Sequence, residues 1–434
     1  MFEVRDKPEM VERALLVRLS FSKREEDEDI SLLEELQELV RTLGIGVEGM
    51  QLAHSRAKHR KYLCGTGKAA EVVEYAKAHE CDCIVIDNEL APSQQREWEE
   101  LAGICVIDRE EVILDIFAQR AQTKEATLQV ELARMQYALP RMARMWGHLD
   151  REGGGGTGGG GSAARGMGEQ QIEVDRRLAR KRIDRTKREL EQVRTQRATR
   201  RKDREKLDMA HGAIVGYTNA GKSTLLNRLS GSDIMAKDML FATLDTTTRS
   251  IELPDGQTLL LTDTVGFVRN LPHRLVEAFK ATLEEAVLAD FLIHVLDANS
   301  PEAEKFFDTT IHVLNELGAE GKPMITILNK CDLVEDPQTI VNLTERLKEK
   351  SPAIIVTSAY KDIGMDELLA GCTEILRERV QKNTYRIPQS EGQHMNLLHS
   401  EAKVTDTQYE GNDVIITAIV PVIIAGRLEQ FLLK

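Results

Sequence analysis

The segment AIVGYTNAGKST, residues 213–224, constrains the fold of this chain more than any other. It connects an apolar, strand-like run to a helical run through the order Gly216-x-x-x-x-Gly221-Lys222-Ser223. Glycines at these positions let backbone N–H groups curl around phosphates, and the N-terminus of the following helix adds partial positive charge. The segment therefore predicts a strand, a phosphate-binding loop and a helix, with Lys222 on the β- and γ-phosphates and Ser223 on Mg²⁺.

Three further motifs follow this loop, and each ends an apolar run. The motif DTVG (263–266) offers a carboxylate for the Mg²⁺ shell and a glycine N–H for the γ-phosphate. The motif NKCD (329–332) ends in a carboxylate that can accept hydrogen bonds from N1–H and the amine of guanine, a donor pair that adenine lacks. Ser358 and Ala359 would support the base from its other side. Because open α/β sheets bind ligands at the carboxyl ends of their strands, the four motifs predict a GTP site.

We expect the nucleotide to contact residues from these motifs and from the segment after the loop. The predicted contacts are Gly216, Tyr217, Thr218, Asn219, Ala220, Gly221, Lys222, Ser223, Thr224, Phe241, Ala242, Thr243, Leu244, Asp245, Asp263, Thr264, Val265, Gly266, Asn329, Lys330, Asp332, Ser358, Ala359 and Tyr360. Within this set we assign catalytic roles to Lys222, Thr243, Gly266 and Asn219.

The polar segment MLFATLDTTTRS, residues 239–250, has the character of a switch that orders around a γ-phosphate. A threonine hydroxyl there must complete the Mg²⁺ site formed by Ser223, with Asp263 acting through water. We favour Thr243, but Thr246, Thr247 and Thr248 are alternatives that spacing alone does not separate.

Phe267 follows the DTVG motif at a position where many GTPases have a glutamine that orients the attacking water. A phenyl ring forms no such hydrogen bond, so we expect slow intrinsic hydrolysis. A monovalent cation, another side chain or a partner must then supply the missing electrostatics. The amide oxygen of Asn219 is a candidate ligand for K⁺, and a loop-shaping hydrogen bond is the alternative role for this side chain.

The whole chain carries 58 Lys and Arg against 71 Asp and Glu, a net charge of −13. Residues 173–206 carry 15 Lys and Arg against 7 Asp and Glu, which is too unbalanced for simple pairing within a helix. Contact with RNA phosphates fits this stretch better than an ordinary solvated face. The predicted RNA contacts are Arg165, Arg176, Arg177, Arg180, Lys181, Arg182, Arg185, Lys187 and Arg188.

The chain divides into four predicted domains of an α/β protein. Residues 1–109 alternate strands and helices as a small α/β domain, and 110–208 form a helical hairpin around the glycine-rich loop 153–168, although GGGGTGGGGS also suits a flexible tether. Residues 209–382 form the P-loop GTPase domain, and 383–434 a small α+β domain. No window approaches the roughly 20 apolar residues that span a bilayer. We therefore expect a cytoplasmic monomer without integral membrane association.

The sequence resembles the HflX family, which are ribosome-associated GTPases of the Obg-like branch. The resemblance covers nearly the whole chain and is most specific in KYLCGTGKAAEV, DREEVILDIFAQRAQTKEATLQVELAR, RGMGEQQIEVDRRL and the segment from LFATLDTTTRS through DTVGFVRNLPHRLVEAFKATLEEA. It places the family's Mg²⁺-binding threonine on Thr243, its hydrophobic substitution on Phe267, and the asparagine of potassium-stimulated GTPases on Asn219. Two departures lie at Glu110 and Met167, where the family usually has threonine and proline.

The resemblance implies a Mg²⁺-dependent GTP hydrolase that binds the large ribosomal subunit and its RNA, and that splits or rescues stalled ribosomes in stress. It also implies that the N-terminal domain contacts ribosomal RNA and that the glycine-rich loop reaches toward the peptidyl-transferase centre. Two alternatives follow from the residues themselves. One is a GTP-latched RNA-binding factor in large-subunit assembly, and the other is a signalling GTPase with a protein partner.

Overall fold

The computed structural model describes residues 11–22, 24, 26–144, 163–205, 209–231, 241, 244, 246–270 and 284–433. The chain forms two compact units. The first contains the N-terminal part up to Thr195 together with Phe241, Arg269 and Asn270, and the second contains most of the remaining residues. In the described ranges, no helix is long and apolar enough to cross a membrane.

The N-terminal domain is a four-stranded parallel sheet with the order β2-β1-β3-β4, as the alternating pattern predicts. Its elements are β1 (Arg13–Ser20), α1 (Glu26–Thr42), β2 (Gly46–His54), α2 (Thr66–Ala78), β3 (Cys83–Ile86), α3 (Pro92–Ala102) and β4 (Cys105–Asp108). All four residues of β3 are fully buried. A continuous apolar run suits a strand of a parallel sheet that is covered on both faces.

Two helices follow this sheet, α4 (Arg109–Arg120) and α5 (Lys124–Ala138). The sequence suggests one long helical tract with a break at Pro140, but the helices separate at residues 121–123. Thr123 begins α5 as its N-cap, because its side chain accepts a hydrogen bond from Ala126 N at 3.2 Å. Pro140 lies in a 3₁₀ turn after α5.

The second arm of the predicted hairpin is the helix α6 (Ala163–Glu205). Leu128 and Leu132 of α5 form an apolar cluster with Ile183 and Leu190 of α6, so the two arms do pair. The glycine tract 153–162 lies outside the described residues. Residues 163–168, which were expected in the glycine-rich loop, belong to the helix instead.

The GTPase region folds into a six-stranded sheet with the order β10-β9-β8-β5-β7-β6. Its elements are β5 (Ala210–Gly216), α7 (Lys222–Leu229), β6 (Thr247–Glu252), β7 (Thr258–Asp263), β8 (Phe291–Asp297), α8 (Ala303–Glu316), β9 (Met324–Asn329), α9 (Pro337–Leu347), β10 (Ile354–Val356) and α10 (Met365–Ile375). From residue 211 to about residue 380, strand-like and helical runs alternate strictly in the sequence, which predicts parallel strands throughout. The edge strand β6 departs from this pattern because it runs antiparallel to β7. A short connection with Gly256 at φ +86° permits this hairpin.

The C-terminal part is a three-stranded antiparallel sheet with the order β11-β13-β12. Its elements are β11 (Val380–Pro388), α11 (Gly392–Glu401), β12 (Lys403–Glu410), β13 (Asp413–Pro421) and α12 (Val422–Arg427). Its core includes Tyr385, Ile416 and Leu398, all fully buried. This small α+β arrangement agrees with the expected fold class, and β11 begins before the predicted boundary at residue 383.

The pairing of α5 with α6 predicts a specific loss of stability in Leu190→Ala. Removing this buried side chain should cost about 2–5 kcal/mol, because the cavity left behind loses its apolar contacts. Hydrogen exchange at residues 124–138 and 173–195 should become faster. Leu178→Ala on the same helix is the matched control, since Leu178 is exposed. Equal protection in both variants would contradict the pairing.

Candidate functional site

The loop between β5 and α7 can close only because two of its positions lack a side chain. Gly216 has φ +143°, and an added Cβ would lie 2.3 Å from the carbonyl oxygen of Val295. Gly221 has φ +96°, and an added Cβ would lie 2.3 Å from Asn329 Nδ2. These approaches leave the loop backbone curled ahead of the α7 N-terminus, as a phosphate-binding loop requires.

Lys222 begins α7 and is only 5% exposed. Its Nζ donates a hydrogen bond to the carbonyl oxygen of Tyr217 at 2.7 Å, which directs the ammonium group across the loop. Burial lowers the pKa of Lys222 to about 8, because the charged form loses its hydration. A bound phosphate would compensate this loss, so the buried lysine is suited to an anionic ligand.

Ser223 and Asp263 meet beneath the loop, where Ser223 Oγ donates to Asp263 Oδ2 at 2.6 Å. A hydroxyl and a carboxylate fit Mg²⁺, which takes oxygen ligands and keeps several waters. In the described ranges, no group of three or more His, Cys, Asp and Glu side chains could hold a metal. Thr243, the predicted second protein ligand, lies outside the described residues, as do Ala242 and Asp245.

Phe267 pairs with the phosphate-binding loop through its backbone. Its N–H donates to Gly216 O at 3.1 Å, and its carbonyl oxygen accepts from Thr218 N at 2.8 Å. The side chain is only 2% exposed. A buried phenyl ring is in no position to orient water, which agrees with the prediction made from the residue type. No sequence pattern predicts this backbone pairing.

Gly266 lies directly against Lys222 and Thr218 in this arrangement. An added Cβ at Gly266 would lie 2.8 Å from Lys222 Nζ and 2.8 Å from Thr218 Cα. The position therefore requires glycine, as expected for a backbone that contacts a γ-phosphate.

Asn329 joins the phosphate-binding loop to the predicted base-binding loop. Its Nδ2 donates to Ala220 O at 2.9 Å, and its Oδ1 accepts from Ala359 N at 3.1 Å and from Thr357 Oγ1 at 3.3 Å. Asn329 therefore holds the two loops together, and its predicted contact with the nucleotide stays a prediction.

The neighbouring residues of the NKCD motif are also held in place. Lys330 has φ +63°, and its Nζ lies 2.7 Å from Asp297 Oδ2. Asp332, the predicted guanine-binding carboxylate, lies 3.9 Å from Lys361 Nζ. Asp297 and Lys361 are not among the contacts predicted from the sequence. Asp297 has one available signal, since it ends β8 in register with Asn329 at the end of β9.

The remaining predicted nucleotide contacts differ in how far they are exposed. Thr264 donates its hydroxyl to Ile214 O at 2.7 Å, and Val265 and Leu244 are buried. Tyr360 is 84% exposed. Ser358 is buried, and Thr224 is half-buried in the first turn of α7.

Asn219 is exposed at the tip of the loop with φ +60°. Asparagine tolerates this left-handed conformation better than most residues. Within the part of the chain that the structure describes, its side-chain amide forms no hydrogen bond, so the loop-shaping alternative finds no support there. The role of Asn219 as a K⁺ ligand stays a prediction.

The basic residues of α6 are mostly exposed. Arg182 forms an ion pair with Glu131, and Arg185 forms one with Glu189. Among the described side chains, Arg177, Arg180 and Lys181 form no ion pair and are exposed. Arg176 is half-buried, Lys187 and Arg188 are exposed, and the side chain of Arg165 lies outside the described residues.

Three family profiles match the chain in succession. They are described as GTP-binding GTPase N-terminal (residues 31–118), GTP-binding GTPase Middle Region (120–204) and 50S ribosome-binding GTPase (211–330).

Similar proteins extend over the full length of the chain. A GTPase HflX of Akkermansia muciniphila is 59% identical over 434 residues, covering 100% of this chain and 99% of the relative. A GTPase HflX of Escherichia coli K12 is 39% identical, covering 98% and 97%. A GTP-binding protein of Sulfolobus solfataricus, solved in complex with GDP, has a TM-score of 0.44 and 26% identity, covering 85% of this chain and 99% of that chain.

The geometry of the loop predicts that Gly221→Ala abolishes tight nucleotide binding. The new Cβ would clash with Asn329 Nδ2, and φ +96° is unfavourable for alanine, so the affinity for GDP should fall by at least about 100-fold. Fluorescent GDP titration measures this change. Gly231→Ala is the matched control, because Gly231 also has a positive φ but has no atom within 4 Å of an added Cβ. Similar losses in both variants would contradict the prediction.

Proposed function

The chain belongs to the HflX family of GTPases, and we propose that it binds the large ribosomal subunit and couples GTP binding and hydrolysis to splitting or rescue of stalled ribosomes. We place this activity in the cytoplasm, under stress. Membership of the family makes the chain a GTPase, while its ribosomal target is our proposal. The profile matched by residues 211–330 is described as a ribosome-binding GTPase, and this supports the choice of partner.

The residues of the site would act on GTP through position and charge. Lys222 would bind the β- and γ-phosphates, and the loop N–H groups would bind the other phosphate oxygens. Mg²⁺, held by Ser223 and Thr243 with Asp263 in its outer shell, would neutralise charge on these oxygens. Asp332 would select guanine over adenine. Because the side chain of Phe267 is buried, it cannot orient the water that attacks the γ-phosphate. We expect the ribosome or a bound cation to position the group that does.

The observation that carries the choice of partner is the exposed basic face of α6. Arg177, Arg180 and Lys181 lie within one turn of helix and have no carboxylate partner among the described residues. Unpaired cations on a rigid helix can neutralise RNA phosphates and release their counterions. A long helix also suits the shape-based recognition that structured RNA requires.

We expect large subunits or whole ribosomes to raise the GTP hydrolysis rate strongly above that of the isolated protein. With a non-hydrolysable GTP analogue, the protein should convert whole ribosomes to subunits in sucrose gradients, whereas GDP should not. Equal hydrolysis with and without ribosomes would contradict the coupling. Binding only to immature subunits would favour the alternative of a GTP-latched assembly factor.

The proposed RNA contact makes a separate prediction about how ribosome binding depends on salt concentration. Changing Arg177, Arg180 and Lys181 together to Gln should weaken ribosome binding and reduce the log–log salt slope by about 2. The matched control changes three exposed basic residues of the GTPase region to Gln, namely Lys305, Arg346 and Lys348. A salt-independent affinity in the wild type would instead favour a signalling GTPase with a protein partner.

We also propose that Asn219 binds K⁺ beside the β- and γ-phosphates. Hydrolysis should be faster in K⁺ than in Na⁺, and Asn219→Ala should remove this difference while GDP binding changes little, because the cation supplies fixed positive charge during hydrolysis. The measurement is GTP turnover in the two salts at equal ionic strength. Asn342→Ala, at an exposed helical position, is the control. An unchanged K⁺ response in Asn219→Ala would exclude this role.

A further inference from the structure

The phosphate-binding loop contains a buried hydroxyl that has no hydrogen-bond partner among the described residues. This hydroxyl belongs to Thr218, which is only 6% exposed. Burying a hydroxyl without a partner is unfavourable, and valine has nearly the same shape and would avoid the loss. A threonine at this position therefore indicates a hydrogen-bond partner that arrives with the ligand.

Thr218 lies beside the position expected for the γ-phosphate. A Cβ placed on Gly266 would lie 2.8 Å from Thr218 Cα, 2.8 Å from Thr218 Cγ2 and 2.8 Å from Lys222 Nζ. Thr218 and Lys222 therefore border the same small space beside Gly266. Lys222 and the N–H of Gly266 are the groups expected to bind the γ-phosphate. Because Oγ1 of Thr218 shares its Cβ with the Cγ2 methyl, the hydroxyl is a close neighbour of that space.

The backbone of Thr218 is held in place by the segment that contains Phe267. Thr218 N–H donates to Phe267 O at 2.8 Å, and Phe267 N–H donates to Gly216 O at 3.1 Å. Rotation about the Cα–Cβ bond is then the main freedom left to the hydroxyl, and a β-branched side chain has few staggered rotamers. A group restricted in this way can meet its ligand without first being ordered.

Two other hydroxyls at the site already have partners. Ser223 Oγ donates to Asp263 Oδ2 at 2.6 Å, and Thr264 Oγ1 donates to Ile214 O at 2.7 Å. Each of these bonds engages the proton of the hydroxyl within the protein. The hydroxyl of Thr218 differs from both, because within the described ranges it remains able to bond a water molecule.

We propose that Thr218 is a catalytic residue whose hydroxyl takes the part of the glutamine that many GTPases have in place of Phe267. Its Oγ1 accepts a hydrogen bond from the attacking water and so orients the water oxygen toward the γ-phosphorus. This oxygen bonds to phosphorus while the bond from phosphorus to the β–γ bridging oxygen breaks, and GDP leaves with the electron pair. The water keeps one proton and passes the other to a γ-phosphate oxygen. This role rests on the proposed hydrolysis of GTP at the same site.

The test compares Thr218→Val, which removes the hydroxyl and keeps the shape, with Thr218→Ser, which keeps the hydroxyl. The rate of a single turnover of GTP, measured with the full chain in excess over GTP in Mg²⁺ and K⁺, should fall by about 10-fold or more in Thr218→Val. The Kd of GDP and that of a non-hydrolysable GTP analogue should change little, because the loop backbone is unaltered. Thr218→Ser should recover most of the wild-type rate.

The matched control is Thr310→Val in α8. Thr310 is fully buried, and its Oγ1 also has no hydrogen-bond partner in the part of the chain that the structure describes. Because Thr310 lies in a helix and not in the phosphate-binding loop, Thr310→Val should leave the rate of hydrolysis unchanged. Should Thr218→Val prove insoluble, Thr218→Ala also lacks the hydroxyl and should show the same loss of rate.

A wild-type rate in Thr218→Val or Thr218→Ala would overturn the catalytic role, and so would an equal loss of rate in Thr218→Ser or in Thr310→Val. A loss of affinity for both nucleotides that accounts for the slower rate would also overturn it, since a purely structural role predicts that result.

Failure of the ribosomal function has a different outcome. A wild-type protein that hydrolyses GTP equally fast with and without ribosomes would overturn the proposed coupling, while the comparison of Thr218 variants would still decide the role of the hydroxyl from the intrinsic rate. A wild-type protein that hydrolyses no GTP under either condition would overturn both.

Discussion

The nucleotide site depends on the close approach of backbone at the phosphate-binding loop. Because Gly216 lies against Val295 O and Gly221 against Asn329, the ends of three neighbouring strands are held in one arrangement. Asn329 extends this arrangement to the base side through Ala220 and Ala359. A change in any of these contacts would move the phosphate and base subsites together, since they share one hydrogen-bonded scaffold.

Phe267 stands where many GTPases have a glutamine, so this site must obtain the group that orients the attacking water from elsewhere. Its buried ring gives the segment a firm backbone contact with the loop but offers nothing to an attacking water. The same segment runs directly into Arg269, which is paired with Glu35. Slow hydrolysis that depends on a partner stays a prediction for this segment.

Much of the fold was predictable because it depends on local patterns. The alternating strands and helices of residues 1–109, the strand, loop and helix of residues 213–224 and the paired helical arms each correspond to elements of the structure. The break between α4 and α5 and the direction of β6 were harder to predict. The separation of α4 from α5 was not predicted because residues 121–123 contain neither glycine nor proline. The antiparallel direction of β6 was not predicted because a short strand has no signal for its direction.

The sequence by itself determined the order of the motifs, the choice of glycine at residues 216 and 221, and the loss of a water-orienting group at Phe267, because each follows from residue type and near neighbours. Only the tertiary structure decided which side chains meet. Asp297 pairs with Lys330 and Asn329 bridges two loops because adjacent strands end in register. Glu35 and Arg269 are 234 residues apart, and no local pattern encodes such a pair. Burial makes each charge depend on such partners, and Glu35 is compensated by both Arg269 and Arg109.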